Sequence, residues 1–374
     1  MKSDVVIVGA GIAGLSLAWT LASRGKSVVV LERGAIAKGA SVRNFGMVWP
    51  VGHPLGEMRK LALRSREIWL DVARETELWV RECGAMTLAY EEIEIQVLAE
   101  FLEQADQDPG VGTLISAGEV LRRNPHVKSK GLLGAMTSET ELCVDPRVTV
   151  GQLASALAKR GVPIHFNTLV GRVEPGVAIA ADGQRWEADQ IIVCATPDSH
   201  QLVPEANGLE KLRRCDLHMM RLAPKSSLWP VMSTHLCAGL TLGHYANFRS
   251  CPSLDALKVF HAEKWPSQTK YGIHVLVSQH GDGSLTVGDS HTYGDDSSPY
   301  LQAEIESSIL EALDEFLDTS GFEVRERWIG TYSTSPGQFY AWMPVAEGVH
   351  ALNLFGTGMT LSFGVAERIA DELG

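Results

Sequence analysis

The sequence lacks several features that define common protein classes. Its six cysteines include no C-x-x-C pair, and no cysteine and histidine set has the linear spacing of a metal site. No segment reaches the roughly 18 consecutive apolar residues that a membrane span needs. Low-complexity tracts and Pro-rich or Gly/Ser-rich linkers are also missing. We therefore expect reduced thiols, no metal site and no membrane span.

Positive charge is scarce as well. The chain has 33 Lys and Arg against 45 Asp and Glu, a formal net charge of −12, and no long basic cluster. Because a phosphate backbone is held by clustered cations, we expect no nucleic acid partner. The strand-like "DVVIVGAG" begins at residue 4, which leaves no room for a signal peptide. A cytoplasmic protein is the expectation.

What is present is an ordinary globular composition. Of its residues, 45% are apolar and 21% are charged. The length of 374 residues favours two domains over one. The first of them starts with a βαβ unit, since the buried strand before Gly9 is followed by helical spacing and by a second buried strand, "SVVVLERG". Residues 55–83 then show helical periodicity, typical of one long helix or a helix pair.

After residue 144 the chain again shows the strand and helix signals of the first domain. Asp145 and Pro146 predict a helix start that Gly161 ends, Asp182-Gly183 predicts a hairpin, and residues 191–195 predict a buried strand. Residues 216–325, by contrast, favour an antiparallel sheet with one clear helix. We predict an α/β fold in which a Rossmann-like domain with a parallel sheet (1–80, 145–215 and 326–374) is interleaved with an antiparallel-sheet plus helix substrate domain (81–144 and 216–325).

The first strand–helix junction carries the strongest chemical signal. Gly9, Gly11 and Gly14 form G-x-G-x-x-G between a strand and a helix, where exposed N–H groups can hold a diphosphate. Glu32 ends the second strand, 18 residues (32 − 14) after Gly14, where a carboxylate can accept both ribose hydroxyls. This pattern predicts an adenine dinucleotide with no 2′-phosphate, without separating FAD from NAD.

Three motifs in order resemble the D-amino-acid oxidase-type flavoprotein family, which includes glycine oxidase and monomeric sarcosine oxidase. They are "VVIVGAGIAGLSLAWTLASRGKSVVVLER", "GASVRNFGMVWPVG" followed by "LALRSREIWLDVARET", and "FGTGMTLSFGVAERIADEL". The resemblance implies FAD. Carried over by motif position, the cofactor-binding residues are Gly9, Ala10, Gly11, Ile12, Ala13, Gly14, Glu32, Arg33, Ser41, Arg43, Asn44, Val170, Ala195, Gly358, Met359 and Thr360.

The sequence departs from these relatives at positions that matter for chemistry. Gly330 stands where sarcosine oxidase-like members have a cysteine bound to the flavin, which predicts non-covalent FAD, while the tyrosine two positions on is kept as Tyr332. Thr360 stands where those members have a lysine that holds the substrate carboxylate, and the arginine of glycine oxidase-like members is absent. Thr286 replaces a lysine that promotes reaction with oxygen, so O₂ and another electron acceptor both stay open.

The resemblance implies oxidation of the C–N bond of a small amine by hydride transfer to flavin N5, with water converting the iminium to an aldehyde and an amine. The missing cations disfavour a simple α-amino acid. "ASVRNFGMVWP" is similar to a subset associated with phosphonate breakdown, which favours an N-methylated 2-aminoethylphosphonate as substrate. A sarcosine- or glycine-type oxidase, a flavin dehydrogenase of a hydroxy acid or polyol phosphate, and a catalytically idle FAD-binding scaffold protein are the alternatives.

The residues expected around the amine fall in two groups. Apolar walls are predicted from Met47, Trp49, Tyr332 and Met359. The anionic group is expected at a histidine or arginine, with His53 and His291 preferred among His53, His244, Arg249, His291 and Arg43. Arg43 faces either the cofactor diphosphate or the substrate, and the sequence leaves both open.

Overall fold

The computed structural model describes residues 2–105, 108, 110–204, 212–226 and 231–374. Its strands are β1 (Ser3–Val8), β2 (Val28–Leu31), β3 (Met47–Val48), β4 (Val80–Glu82), β5 (Ala85–Ala89), β6 (Thr113–Ser116), β7 (Gly134–Ser138), β8 (Leu142–Val144), β9 (Ile164–His165), β10 (Val170–Glu174), β11 (Val177–Ala180), β12 (Arg185–Val193), β13 (Arg213–Pro224), β14 (His235–Ala238), β15 (Leu276–Gln279), β16 (Leu285–Gly288), β17 (Thr292–Gly294), β18 (Phe322–Thr334), β19 (Ala341–Ala346) and β20 (Val349–Asn353). Its α-helices are α1 (Ile12–Ser23), α2 (Glu57–Glu75), α3 (Glu92–Gln104), α4 (Ala117–Arg123), α5 (Pro146–Lys159), α6 (Ser199–Leu202), α7 (Thr241–His244), α8 (Leu254–Lys264), α9 (Pro266–Lys270), α10 (Ala303–Asp314) and α11 (Gly358–Leu373).

The first sheet is built around five parallel strands in the order β9-β2-β1-β12-β20. β19 adds an antiparallel edge to β20, and β10 and β11 extend the other part of the long strand β12. Its strands are almost wholly apolar, as expected for strands buried on both faces. Helices α1, α2, α5 and α11 pack over it in one core, where Trp69 meets Phe363 edge-on at 4.9 Å between ring centroids.

The second sheet follows the order β17-β13-β16-β15-β14-β5-β7-β6, with β18 paired to β13 along almost its whole length. Its pairs are antiparallel except β5 with β14. Helices α3 and α8 pack on one part of it, and α4 and α10 on another. The combination of a parallel and an antiparallel sheet confirms the predicted α/β class.

A small third sheet, β3-β8-β4, includes residues from the apolar loop that follows β2. Met47 pairs with Cys143 and Val48 with Leu142, and the amide of Val144 donates to the carbonyl of Gly46 at 2.8 Å. Phe45, Met47, Val48 and Trp49 of this loop are buried in the two adjoining hydrophobic cores and are not exposed on a surface connection.

Several local signals in the sequence correspond to observed structure. The βαβ unit is present as β1, α1 and β2. The Asp145 carboxylate accepts from the amide of Arg147 with Pro146 in the first turn of α5, and Gly161 follows this helix at φ +84°. Gly183, at φ +91°, turns the hairpin between β11 and β12. These features depend on neighbouring residues, so they were predictable.

Three predictions of local structure need correction. Helix α2 ends at Glu75, because Thr76 is extended and Val80–Glu82 is drawn into pairing with β8. Residues 254–270 form α8 and α9, so α10 is not the one clear helix of the region. Strand β18 runs continuously from 322 to 334, across the domain boundary predicted between 325 and 326, because it pairs with β13 along almost its whole length.

Among the helices of the described ranges, none is both long and apolar enough to cross a membrane.

Replacing Gly46 tests how much the small sheet contributes to the free energy of unfolding. It has φ +71°, and a Cβ there would lie 2.0 Å from the Val144 carbonyl oxygen, so Gly46→Ala forces β3 and β8 apart. We expect a loss of about 2–4 kcal/mol in the free energy of unfolding, from left-handed strain plus overpacking. Gly183→Ala is the matched control, since Gly183 also has positive φ but has open space around its Cβ position, and should cost about 1–2 kcal/mol. Equal shifts in urea unfolding would contradict the role of Gly46.

Candidate active site

A cavity of about 1300 Å³ extends from the glycine loop after β1 to the second sheet. Residues at the ends of β1, β2 and β12 line one end of it, and residues of the second sheet line the other. The volume exceeds the roughly 300–1,000 Å³ of a typical small-molecule site. There is room for a dinucleotide and a small second molecule.

The glycine loop forms an anion cradle at the first end of this cavity. A Cβ at Gly14 would lie 2.0 Å from the Gly9 carbonyl oxygen, so only glycine lets α1 pack this closely on the loop. The first turn of α1 has neither an acidic residue nor a side-chain cap of its own. Gly11 and Ile12 face the cavity there, as the predicted diphosphate site requires.

Ala10 and Ala13, the other predicted residues of the glycine loop, differ in whether they face the cavity. Ala13 lines the cavity beside Gly9, whereas Ala10 is buried behind the loop. The amide of Ala10 donates to Glu32 Oε2 at 2.9 Å. The loop is thereby tied to the end of β2.

Glu32 is buried and lines the cavity at the carboxyl end of β2. Its second carboxylate oxygen, Oε1, accepts from the amide of Gly34 at 2.9 Å. Arg33 points to Asp198 at 3.1 Å, and Asp198 also binds Arg214 at 2.9 Å. Glu32 is therefore held rigidly where a ribose can lie, while the charge of Arg33 is already matched by a carboxylate.

The predicted residues of the loop after β2 have different tasks. Ser41 Oγ accepts from the amide of Ile12 at 2.9 Å, which places this hydroxyl at the start of α1. The Asn44 side chain donates to the carbonyls of Ala40 and Ser41 and accepts from the amide of Gly46. Both residues line the cavity, but the side chain of Asn44 shapes the loop and has little hydrogen-bonding capacity left for a cofactor.

Arg43 lies between the two ends of the cavity. Its guanidinium donates to the Ile329 carbonyl at 3.3 Å, and its own carbonyl accepts from Trp328 Nε1 at 3.2 Å. A Cβ at Gly330 would come 2.8 Å from the same Arg43 carbonyl oxygen, so the glycine allows this contact with β18. Arg43 thus joins the loop to the second sheet.

Val170 and Ala195 line the same end of the cavity as Glu32. Val170 begins β10 at an irregularity in its pairing with β11 and is buried, and Ala195 follows the end of β12. Their positions fit the adenosine side of a dinucleotide.

The start of α11 forms the third cofactor element predicted from sequence. Gly358, Met359 and Thr360 line the cavity at the amino end of this helix, where backbone N–H groups carry partial positive charge. The Met359 carbonyl accepts from Trp69 Nε1 at 2.8 Å. Thr360 Oγ1 accepts from the amide of Trp49 at 2.9 Å, so this hydroxyl joins helix α11 to the loop after β2.

The four predicted wall residues do line the cavity. Met47, Trp49 and Met359 are buried, and Tyr332 packs on the core below them. Gly356 has φ +74°, and a Cβ there would lie 2.8 Å from the Tyr332 ring. The glycine-containing loop before α11 is therefore in contact with the ring of Tyr332.

His53, one of the two preferred candidates for contact with the substrate anion, also lines the cavity. Its Nδ1 donates to the Trp49 carbonyl at 3.1 Å, which leaves Nε2 as an unpartnered acceptor. Burial lowers the pKa of His53 to about 4. The imidazole is neutral at pH 7 because that pH lies far above its pKa, and it supplies no positive charge.

His291 belongs to a cluster that the sequence does not reveal. Its ring lies 4.3 Å from that of His244 and 4.9 Å from that of His274, between centroids, and Asp289 is beside them. Burial lowers the pKa of His291 to about 4 and raises the pKa of Asp289. A charged His291 is therefore not available as an anion contact either.

Arg249 is the predicted anion contact that brings a guanidinium group to this cluster. It lines the cavity after the short turn Ala246–Phe248 and lies close enough to His244 to oppose its protonation. Within the described residues it forms no ion pair with a carboxylate. Arg249 is thus free to meet an anion in the cavity.

Sequence reasoning missed three residues that line this part of the cavity, namely Tyr245, His274 and Asp289. The Tyr245 ring lies 6.2 Å from that of Trp49 and 5.7 Å from that of His274. By contrast, Thr286 accepts or donates a 2.7 Å hydrogen bond with His280 Nε2 and is absent from the lining. No linear motif signalled these positions, since His274 meets Asp289 through backbone bonds next to the β15–β16 pairing and Tyr245 packs against His274.

Comparison with known proteins agrees with this geometry. The family model described as FAD dependent oxidoreductase (DAO) matches residues 4–372, so the chain belongs to that family. The glycine cradle, the acceptor at Glu32 and the volume of the cavity fit FAD.

Individual relatives are distant. A component of the opine oxidase of Rhizobium meliloti is 24% identical over 239 residues, 60% of this chain and 64% of that protein. Glycine oxidase of Geobacillus kaustophilus (strain HTA426) is 31% identical over 212 residues, 52% of this chain and 54% of that protein. The chain thus matches between half and two thirds of the length of these relatives.

The crystal structure of glycine oxidase from Geobacillus kaustophilus superposes with a TM-score of 0.80 at 19% identity, covering 100% of this chain and 94% of that chain. At this identity the superposition shows a shared fold.

Glu32 offers a direct test of the cofactor site. Glu32→Gln replaces one acceptor oxygen by an NH₂ group that faces either the amide of Ala10 or that of Gly34, so the loop and the ribose site are both disturbed. We expect the dissociation constant for FAD to rise at least about tenfold, roughly 1.4 kcal/mol. FAD retention is measured by ultrafiltration at increasing dilution. Glu347→Gln, at an exposed position beside β19, is the control, and equal retention in both variants would contradict the assignment.

Proposed function

We propose that the protein oxidises the C–N bond of a small anionic amine. The observation that carries this proposal is the continuity of the cavity, which joins the glycine cradle and Glu32 to an apolar chamber with Arg249 at its edge. The names of opine oxidase and glycine oxidase among the relatives support an amino compound as substrate.

When bound, FAD supplies the two-electron oxidising power for this reaction. The chain's own contribution begins with the apolar walls, where Trp49, Met47 and Tyr332 exclude water from the amine. A desolvated amine loses its proton more easily, since burial disfavours the charged form. The neutral amine is the form from which the C–N bond is oxidised.

Helix α11 provides the second contribution. Gly358, Met359 and Thr360 present backbone N–H groups and the positive end of the helix dipole to the cavity. This arrangement stabilises negative charge on a ring placed against it. The bonds from Trp69 to Met359 and from Trp49 to Thr360 hold the helix start in place.

The anionic group of the substrate is assigned to Arg249. Thr360 replaces the lysine of sarcosine oxidase-like members and its hydroxyl is engaged by the amide of Trp49, so it offers no counter-ion at the oxidised carbon. If the anionic group of the substrate is further from the oxidised carbon than an α-carboxylate is, its counter-ion also lies further from that carbon. On this basis we propose an N-methylated 2-aminoethylphosphonate as substrate, with sarcosine or glycine as the alternative that the 31% identity to glycine oxidase favours.

We further propose that FAD is held without a covalent bond. Gly330 offers no thiol, and its backbone is packed against the carbonyl of Arg43. O₂ or a separate acceptor would complete the cycle, and both remain compatible with the residues around the cavity. FAD released intact by acid or heat precipitation would support the non-covalent assignment.

Anaerobic titration with a panel of amines tests the proposed reaction. N-methyl-2-aminoethylphosphonate, 2-aminoethylphosphonate, sarcosine and glycine are added in turn while the visible absorbance of oxidised flavin is followed. We expect bleaching by the N-methylated phosphonate at the lowest concentration. Bleaching by sarcosine alone would replace the phosphonate by a carboxylate substrate. Bleaching by 2-hydroxyglutarate or glycerol 3-phosphate, with none by amines, would replace C–N oxidation by alcohol oxidation.

Arg249→Met tests the anion assignment. Losing one cation next to a bound anion should raise the KM for an anionic amine about 10–100-fold while kcat stays within about threefold, because the contact is made in both ground and transition states. Arg249→Lys keeps the charge and should recover part of the loss. Arg325→Met on the exposed side of β18 is the control. A fall in kcat with unchanged KM would contradict the assignment.

A further inference from the structure

Three histidines from separate elements meet at the chamber end of the cavity. His244 ends α7, His274 precedes β15 and His291 follows β16. One ring nitrogen from each lies within 4.8 Å of the other two. They are 30 and 17 residues apart in sequence (274 − 244 and 291 − 274), so no linear motif predicts the cluster.

Backbone pairing positions two of these histidines and Asp289. The amide of His274 donates to the Asp289 carbonyl at 3.2 Å, and the amide of Asp289 donates to the His274 carbonyl at 2.9 Å. The amide of His291 donates to the Tyr271 carbonyl at 2.9 Å. This ladder continues the antiparallel pairing of β15 with β16, so the side chains project from a rigid base.

Three polar atoms of the cluster lack a hydrogen bond within the described residues. Both ring nitrogens of His274 and Oδ1 of Asp289 are buried without a hydrogen bond. Oδ1 of Asp289 lies 3.3 Å from His274 Nε2 and 3.8 Å from His291 Nδ1. Buried polar atoms are rarely left unpaired in a native protein, because each costs about 1–3 kcal/mol. Unpartnered buried atoms beside three histidine nitrogens that lie within 4.8 Å of one another indicate a missing ligand.

Hydrogen bonding also prepares His291 for coordination. Its Nδ1 donates to the Gly272 carbonyl at 3.0 Å, which leaves Nε2 with a free lone pair. Histidines that bind metals commonly donate their other nitrogen to a backbone carbonyl, which fixes the tautomer and the ring orientation.

We propose that His244, His274 and His291 bind a divalent transition-metal ion. Three imidazole nitrogens form a donor set that suits Zn²⁺ and similar ions. Asp289 lies beside Nδ1 of His291, the nitrogen turned away from the ion, and is not counted among the ligands. Three nitrogens about 2.1 Å from such an ion are about 3.4 Å apart in tetrahedral geometry. Starting within 4.8 Å of one another, the nitrogens need to approach the ion by about 1 Å or less each. The rings of His244 and His274, stacked at 3.9 Å between centroids, also need to rotate so that their lone pairs point to it. His244, exposed to the cavity, is the ligand free to make most of this movement.

A cation at this position would also take part in substrate binding, a step that depends on the proposed function. The cluster lines the same cavity as Trp49 and Tyr332, next to Arg249. An ion with an open coordination position there can bind an oxygen of a phosphonate or carboxylate group. It would add a positive charge beside Arg249 at this end of the cavity.

Metal binding is tested first without any amine. The FAD-loaded protein is treated with chelator, desalted and titrated with Zn²⁺ by calorimetry, and Co²⁺ is used for its d–d absorption at wavelengths beyond the flavin bands. We expect one ion per chain, and dissociation constants at least about tenfold higher in His244→Ala and His274→Ala. His165→Ala, at an exposed position in β9, is the control.

The outcomes separate the site from the reaction. No saturable binding, or equal binding by the wild type and both cluster variants, would overturn the proposed site. FAD content reports folding, and His244→Ala changes an exposed side chain, so loss of metal with FAD retained supports the site. Metal binding with no flavin bleaching by any amine would leave the site in place and reject the amine oxidation. Metal removal should raise the KM for an anionic amine more than for an uncharged one, and equal effects would reject the anion contact alone.

Discussion

The architecture depends on how the segment from Phe45 to His53 is anchored between the two sheets. Its Trp49 amide is bonded to Thr360 at the start of α11, and its Val51 amide donates to the buried carboxylate of Glu141 at 3.1 Å. Gly46 adds a third link through its carbonyl to Val144. These hydrogen bonds connect the helix layer of the parallel sheet to the small third sheet. The segment thereby forms a common wall of the cofactor and substrate ends of the cavity.

The two ends of the cavity have opposite electrostatic designs. At the cofactor end, anions meet backbone N–H groups from the starts of α1 and α11, which need no ionised side chain. At the other end, burial keeps His53 and His291 neutral, and Arg249 carries positive charge. A desolvated chamber of this kind suits a neutral amine. It also makes any added cation unusually effective, because charges interact strongly where water is excluded.

Much of the cofactor site was predictable because its determinants are local. The glycine spacing, the strand before it and the carboxylate at the end of β2 are all set within the first 32 residues, and parallel strands bring their carboxyl ends to one edge. Roles within that site were less predictable. Asn44 turned out to hold its own loop, and Arg33 is occupied by Asp198, since hydrogen-bond partners from distant segments decide where a polar side chain points.

The amino-acid sequence by itself determined the α/β class, the glycine cradle and the absence of a counter-ion at position 360, because short-range spacing and residue identity are enough for each. Only the tertiary structure decided which side chains surround the chamber. His244, His274, Asp289 and His291 meet because β15 and β16 pair and α7 packs beside them. The pKa values of His53 and His291 follow from burial, which is a property of the packed protein and not of any motif.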